Sequence, residues 1–304
     1  MNTSGIINVY KEKDYTSFDV VARLRGILKI KKIGHTGTLD PDATGVLPIC
    51  IGNATKVVDL LTDKQKTYQA TFRFGLVTDT QDITGTIIRE TKETVSFDIF
   101  KEKIMDFVGE YQQIPPMYSA VWHNGIRLYD LAREGIIVER EARNVCVHEI
   151  THLAQLTEHD FQFEITVSKG TYIRTLIFDL GEALGVGATL TELVRTSVAP
   201  FHIKDALKID EIALLMEQNR LHEILLPPDS LFEHYPALIA TKDLEKPLYN
   251  GNKLPISLIH DIEGNVGLED KYRVYDTYKQ FIGIYKVVEV EDTFALKVDK
   301  MFYP

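Results

Sequence analysis

Residues 33–52, IGHTGTLDPDATGVLPICIG, constrain this chain more than any other stretch. Gly34, Gly37, Gly45 and Gly52 fall within it, together with Pro41 and Pro48. Glycine opens backbone angles and close approaches that a side chain forbids. Proline fixes its own φ and pushes the residue before it out of the helical region. Such a segment is neither an ordinary helix nor an ordinary strand. It reads as a shaped loop that runs into a short apolar stretch, Val46 to Ile51. Asp40 sits inside the loop between Leu39 and Pro41. A carboxylate on so stiff a backbone suits a group that must be aimed. The composition also fits a plain connection whose acids face water, because Asp, Gly, Pro and Thr are ordinary turn residues. A phosphate-binding P-loop is excluded, since no Gly-Lys-Ser/Thr follows Gly34, Gly37 or Gly45. The spacing from Gly34 to Gly37 likewise rules out a dinucleotide fingerprint.

The 304 residues allow one large domain, or one of roughly 200–230 residues with a small one attached. A hydrophobic content of 44% provides ample material for a core. No apolar run reaches the roughly 18–20 residues that a membrane helix needs. Lys11, Glu12, Lys13 and Asp14 interrupt any signal-peptide pattern, and a cytoplasmic location is expected. Cys50 and Cys146 are too few for a disulfide framework or a zinc site, and read as small buried hydrophobes. Neither a metal nor any other cofactor is expected. The net charge of −10 speaks against nucleic acid until its distribution is considered. Residues 205–304 hold 11 Lys and Arg against 18 Asp and Glu, so most of the acidity is C-terminal. Arg23, Arg25, Lys29, Lys31 and Lys32 cluster just before the glycine-rich loop. A local basic face of this kind can grip phosphate even in an acidic protein, or can be a solvated helix face.

Local patterns place the elements. Residues 5–10 read as a strand. Thr16 or Ser17 then caps a helix whose apolar positions Val20, Val21, Leu24, Ile27 and Leu28 follow the 3.6 period. Residues 54–62 suggest a short helix. Residues 67–75 alternate as a strand with Tyr68, Ala70, Phe72 and Phe74 on one face. That makes core packing one reading of Tyr68. Residues 78–85 form an acidic turn whose side chains are expected to bond the backbone. A helix is expected over 97–108 and a strand over 161–168. A further helix opens in 169–176, with Ile173, Leu176, Ile177, Leu180 and Leu184 as its apolar stripe. Arg174 lies in its first turn, where the helix dipole disfavours a cation unless an anion is near. Leu225 to Asp229 reads as a domain boundary. Beyond it, short alternating runs with turns at Asn250-Gly251 and Glu263-Gly264-Asn265 suggest a small β-rich domain.

The order of residues is more specific than their composition. Gly34-His35-Thr36-Gly37-Thr38-Leu39-Asp40-Pro41, then Ala43, Gly45-Val46-Leu47 and Gly52-Asn53-Ala54-Thr55-Lys56, resembles the nucleophile motif of the TruB-type tRNA pseudouridine synthases. The resemblance continues through Gln113 to Ala120, through Lys169 to Leu176, and through Leu193-Val194-Arg195-Thr196. It covers residues 5–230 well and the remainder poorly. It implies an α/β (α+β) fold: a mixed, largely antiparallel sheet flanked by helices over 1–229, then a small PUA-like RNA-binding domain over 230–304.

The resemblance also assigns roles. It makes Asp40 the catalytic residue, leaving open attack on the sugar, attack on the base, or a glycal route. It makes Tyr68 a stacking partner for the target base, and Arg174 the cation paired with Asp40. Leu193 falls where the family has an apolar wall for uracil, a role compatible with an ordinary core leucine. His35, otherwise a turn residue, is expected to touch RNA around the vacated base position. Lys31, Lys32 and Arg23 are expected to grip phosphates. Two departures stand out. The family pattern Lys-Pro-x-Gly-x-Thr-Ser appears here as Lys11-Glu12-Lys13-Asp14-Tyr15-Thr16-Ser17, and a family lysine is replaced by Trp122. The implied activity is isomerisation of uridine 55 in the tRNA T-loop, by a monomer with no guide RNA. The competing class is a protein that binds and remodels tRNA without modifying it.

Overall fold

The computed structural model describes residues 4–256, 266–290 and 293–303. Its larger sheet has nine strands. Seven follow one path, in the order Gly5–Lys11, Thr44–Ile51, Ala188–Val198, Lys66–Phe74, Asp160–Val167, Arg143–Gln155, Gly109–Gln113. The short strands Ile33–His35 and Phe201–His202 attach to its flank. Every pairing is antiparallel except one, where Val194 and Arg195 run parallel to Thr44 and Gly45. The mixed, largely antiparallel sheet expected from the sequence is therefore present.

Side-chain alternation decides what each strand buries. On Lys66–Phe74, the residues Ala70, Phe72 and Phe74 face a cluster with Phe161, Phe163 and Ile165. The helices Phe97–Ile104 and Ile173–Ala183 cover this face through Phe100, Ile104, Leu176, Ile177 and Leu180. Each large apolar side chain buried here contributes about 1.5–3 kcal/mol. Tyr68 extends the same row but is only half-buried, at the edge of the cluster. The first strand is covered on both sides, with Ile7 and Val9 in one cluster and Ile6 in another. Ile7 and Val9 pack against the helices Ser17–Leu28 and Ile209–Glu217.

Thr16 caps the first of these helices. Asp19 N donates to Thr16 Oγ1 at 3.1 Å, and Thr16 N donates to Asp19 Oδ2 at 2.8 Å. Such a cap is worth about 1 kcal/mol. Two expected helices are shorter or more broken than the pattern suggests. The 97–108 segment is α-helical over Phe97–Ile104 and then tightens to a 3-10 turn at Met105–Phe107. The 54–62 segment is a 3-10 turn, Gly52–Val57, followed by the helix Val58–Thr62.

The smaller sheet has five strands, ordered Ala237–Ile239, Lys271–Tyr275, Phe281–Val290, Thr293–Met301, Leu254–Pro255. Asn250-Gly251 does not link two strands, as the short alternating runs suggested. It ends a one-turn helix, Glu245–Tyr249, with Gly251 at φ 66. The expected turn at 263–265 lies outside the described residues. The two sheets share apolar packing: Phe232, Ile284 and Phe302 join Ile6, Val46, Cys50 and Ala54 in one cluster. Polar ties cross the same junction. Asn53 Nδ2 donates to Phe302 O at 2.8 Å, and Lys56 Nζ donates to Met301 O at 2.6 Å.

Candidate active site

The backbone on either side of Asp40 is held from the first helix and the loop before it. Leu39 N donates to Ser17 Oγ at 2.9 Å. Pro41 O accepts from Lys11 Nζ at 2.9 Å and from Asp14 N at 3.1 Å. The Lys11 side chain is fully buried, and its ammonium also donates to Glu12 O at 3.1 Å and Tyr15 O at 2.5 Å. Three carbonyls thus take three N–H groups. Burial draws the Lys11 pKa down to about 8, against the pull of Asp40 and Asp42. A turn within the loop, from Ala43 N to Asp40 O at 3.1 Å, completes the frame.

Gly45 explains why the strand after the loop needs a glycine. Its φ is +105, and a Cβ built there would lie 2.3 Å from Arg195 O. The close approach belongs to the one parallel contact of the sheet, and it brings the Arg195 strand beside the Asp40 loop. Arg195 is almost fully buried. Its Nε donates to Val46 O at 2.7 Å and its Nη2 to Gly37 O at 3.2 Å, fixing the loop from beneath.

Arg174 reaches Asp40 from the opposite side. Its Nη2 is 2.9 Å from Asp40 Oδ2; the arginine side chain is 5% exposed and the aspartate side chain 48%. The same guanidinium donates to Tyr118 O at 2.9 Å and to Thr80 O at 3.1 Å, and lies 3.5 Å from Asp82 Oδ2. The helix that carries it begins at Ile173 rather than in 169–172, and Gln113 sets that start. Gln113 Oε1 accepts from Tyr172 N at 2.8 Å, and Gln113 Nε2 donates to Tyr172 O at 3.0 Å.

Asp40, Arg174 and Leu193 stand between two adjoining hollows and line both. The first also has Thr80, Asp82, Tyr118 and Tyr129 in its wall. The second has Tyr68, Lys66, Lys169, Tyr172 and Arg195. Its cations are Lys66, Lys169, Arg174 and Arg195, and Asp40 is its one acid. A concave surface biased this way attracts anions. Lys66 is buried; that burial, with Arg195 beside it, lowers its pKa to about 8. Burial raises the Tyr172 phenol above its usual value.

Asp40, Tyr68, Arg174 and Leu193 are therefore brought together as the sequence suggested. The remaining candidates line neither hollow. His35 rests on Phe18 in a T-shaped contact, with ring centroids 5.2 Å apart. Burial, and Arg195 nearby, lower its pKa. Arg23 lies over the Tyr15 ring at 5.2 Å. Lys31 is exposed, and Lys32 Nζ donates to Asn53 Oδ1 at 3.4 Å. The acidic turn bonds its own backbone as expected: Thr86 N donates to Asp79 Oδ1 at 2.8 Å and Thr84 N to Asp82 Oδ1 at 3.1 Å. Its second task, the approach of Asp82 to Arg174, was not read from the sequence. Lys66, Tyr172 and Arg195 were missed as site residues as well. The strands that carry Lys66 and Arg195 hold other polar residues as well, so a lysine and an arginine within them gave no distinctive signal. Among the described residues, no group of three or more His, Cys, Asp or Glu side chains is placed to hold a metal, and no helix is long and apolar enough to cross a membrane.

Comparison with known proteins points the same way. Residues 25–173 match the family described as TruB family pseudouridylate synthase (N terminal domain). Residues 174–233 match the tRNA pseudouridylate synthase B C-terminal domain. The chain is 46% identical to a tRNA pseudouridine synthase B of Lachnoclostridium phytofermentans, over 96% of this chain and 97% of that one. A protein of the same name from Alkaliphilus oremlandii is 42% identical over 95% and 94%. Among solved structures, a Cbf5-Nop10-Gar1 complex superposes with a TM-score of 0.70 at 28% identity, over 99% of this chain and 85% of the matched chain. An H/ACA RNP bound to a substrate RNA containing 2'-deoxyuridine gives 0.70 at 26% identity, over 99% and 85%.

Proposed function

The chain belongs to the TruB family of pseudouridylate synthases, and on that premise we propose that it converts uridine 55 in the T-loop of tRNA with Asp40 as its nucleophile. It is a tRNA pseudouridine synthase, an isomerase. The reaction breaks the bond from C1′ to N1, turns the uracil, and joins C1′ to C5. The C5 hydrogen leaves as a proton and N1 gains one. The observation that carries the reading is the Asp40 carboxylate, clamped along its backbone and paired with Arg174 where the two hollows meet.

Each side chain then has a task. Asp40 presents an oxygen to the nucleotide as the glycosidic bond breaks. Arg174 holds that oxygen in place through contacts that do not depend on it. Tyr68 stacks on the extruded base and Leu193, on the neighbouring strand, adds an apolar wall to the slot, which offsets the few kcal/mol that extrusion costs. Lys169, exposed at the second hollow, meets the phosphate of the extruded nucleotide, and the buried Lys66 and Arg195 add positive charge behind it. His35, backed by Phe18, meets the RNA outside the slot, and Lys31, Lys32 and Arg23 meet its phosphates. Residues 1–229 form the catalytic domain, and the small sheet of 230–304 is a PUA-like RNA-binding domain. The protein acts in the cytoplasm as a monomer without a guide RNA. The near full-length likeness to proteins named tRNA pseudouridine synthase B supports this.

The test is release of tritium from tRNA labelled at uridine C5, which modification requires and binding does not. Asp40→Asn should bind tRNA within a few-fold of the wild type and release none. Asp42 is exposed and lies 3.7 Å from Lys13, so Asp42→Asn should retain most activity. Activity in Asp40→Asn above about a percent of wild type would assign the chemistry to another group. Tritium retained by the wild-type protein on bound tRNA would make it a binder only.

A further inference from the structure

Residues 114–142 leave the large sheet between the strands Gly109–Gln113 and Arg143–Gln155 and carry a hairpin of their own. Trp122–His123 pairs with Ile126–Arg127. Asn124 (φ 50) and Gly125 (φ 83) make the turn, both in the left-handed region that a tight two-residue hairpin requires. Trp122 sits directly across from Arg127, and the guanidinium carbon lies 5.2 Å from the indole centroid. Trp122 is nevertheless 63% exposed. A cross-strand pair would account for one covered face of the ring. It does not account for an indole left open to water.

The hairpin is tied to the active site. Leu128 N donates to Val121 O at 2.8 Å and Tyr129 N to Ser119 O at 3.0 Å. The segment they bond is continuous with Tyr118, whose carbonyl accepts from Arg174. Tyr118 and Tyr129 meet edge to face, 6.0 Å apart, and both line the first hollow. Arg133 lies over Tyr129 at 5.8 Å. Two aromatic–arginine pairs, Tyr129 with Arg133 at the Asp40 hollow and Trp122 with Arg127 on the hairpin, thus belong to one backbone-bonded segment. Such surfaces hold unpaired bases by stacking, and the cation polarises the ring and meets the backbone. Trp122 also stands where the family pattern has a lysine. An indole cannot hold a phosphate, but it can take the face of a base.

We propose that Trp122 and Arg127 form a second stacking station, which takes an unpaired nucleobase of the RNA outside the slot at Asp40. The proposal rests on the reading of the chain as a tRNA-modifying enzyme. Trp122 is the only tryptophan in the chain, so its fluorescence reports the station directly. The full-length protein is titrated with a T-arm stem-loop and with stem-loops carrying one abasic position at a time. The intact RNA should quench the emission, and one abasic loop position should abolish most of that quench. Trp122→Ala should weaken binding about tenfold, as expected for one stacked base, with the loss falling on KM rather than kcat. Trp122→Phe should recover most of the affinity. Trp122→Lys should bind with a steeper salt dependence, because a phosphate contact replaces a stack. Emission unchanged on bound RNA, a quench indifferent to every abasic position, or equal affinity of Trp122→Ala and wild type would overturn the station. Each of these results leaves the tritium-release test of the enzyme untouched.

Discussion

Arg174 Nη2 lies 2.9 Å from Asp40 Oδ2, yet Arg174 does not need Asp40 to stay where it is. The carbonyls of Thr80 and Tyr118 hold the guanidinium, and Asp82 faces it at 3.5 Å. The aspartate is the member of the pair that gains its position from the other.

Arg174→Lys should therefore be nearly as damaging as Arg174→Ala. A lysine ammonium is a single point on a flexible stem and cannot span two carbonyls and a carboxylate in one plane. A misplacement of about 1 Å can cost about a hundredfold in rate. Single-turnover rates on a T-arm stem-loop should fall by about that factor, with binding changed little. A lysine variant within about threefold of wild type would show that charge alone suffices.

Tyr68→Phe should retain most of kcat/KM, whereas Tyr68→Leu should lose about tenfold or more, because a stacked base contributes roughly 1–3 kcal/mol. The half-buried position of Tyr68 at the edge of the core allows either ring without repacking. Equal, large losses in both variants would assign a chemical task to the hydroxyl.

Asp179 lies on the Arg174 helix with its carboxyl half-buried, and burial, with Glu182 nearby, pushes its pKa up to about 6. The folded form thus binds its proton more tightly than the unfolded chain does. Stability from this group is fully present below the unfolded value of 3.8 and is lost as pH rises through about 6. Asp179→Asn should raise the melting temperature by a few degrees at pH 8, from about 1–2 kcal/mol after allowance for solvent. The gain should vanish near pH 4. Thermal melts across that range are the check, and a gain independent of pH would refute the assignment.

Deletion of 230–304 should destabilise the part that remains. Phe232, Ile284 and Phe302 would leave Ile6, Val46 and Cys50 uncovered, and Asn53 and Lys56 would lose their carbonyl partners. Phe302→Ala in the full chain should already cost about 3–5 kcal/mol in urea unfolding. An unchanged midpoint in both variants would show that the sheets fold independently.

The contrast between what was legible and what was not follows from distance along the chain. The stiff loop around Asp40 was legible because glycines and prolines leave a local signature, but its composition fitted a plain connection as well, and only the family likeness singled out Asp40. The first-turn place of Arg174 called for an anion, and the family likeness named Asp40 as that anion. Tyr68 was half legible, since its row fitted a core face and only its place at the end of that row leaves it partly open. Arg195, Lys66 and Asp82 were not legible, because each gains its meaning from a residue more than 90 positions away: Arg195 from Val46, Lys66 from Arg195, and Asp82 from Arg174. The mixed, largely antiparallel character of the large sheet followed from the family likeness, and local pattern placed only three of its nine strands, near residues 5–10, 67–75 and 161–168. The single parallel crossing at Gly45 had no local signal beyond the glycine itself.

The loop before the first helix shows which of its residues are free to drift. Asp14 stands at φ 69, a left-handed conformation, at the place where the family pattern has glycine. Aspartate tolerates that region better than most side chains. The path of the loop is maintained by the Lys11 ammonium, which gathers three carbonyls, and by Asp14 N on Pro41 O. Glycine and proline are thus one way of spelling this turn, and the lysine is its grammar. A sequence search that insists on the glycine would discard chains whose aspartate loop is built in the same way, whereas one that insists on the lysine would keep them.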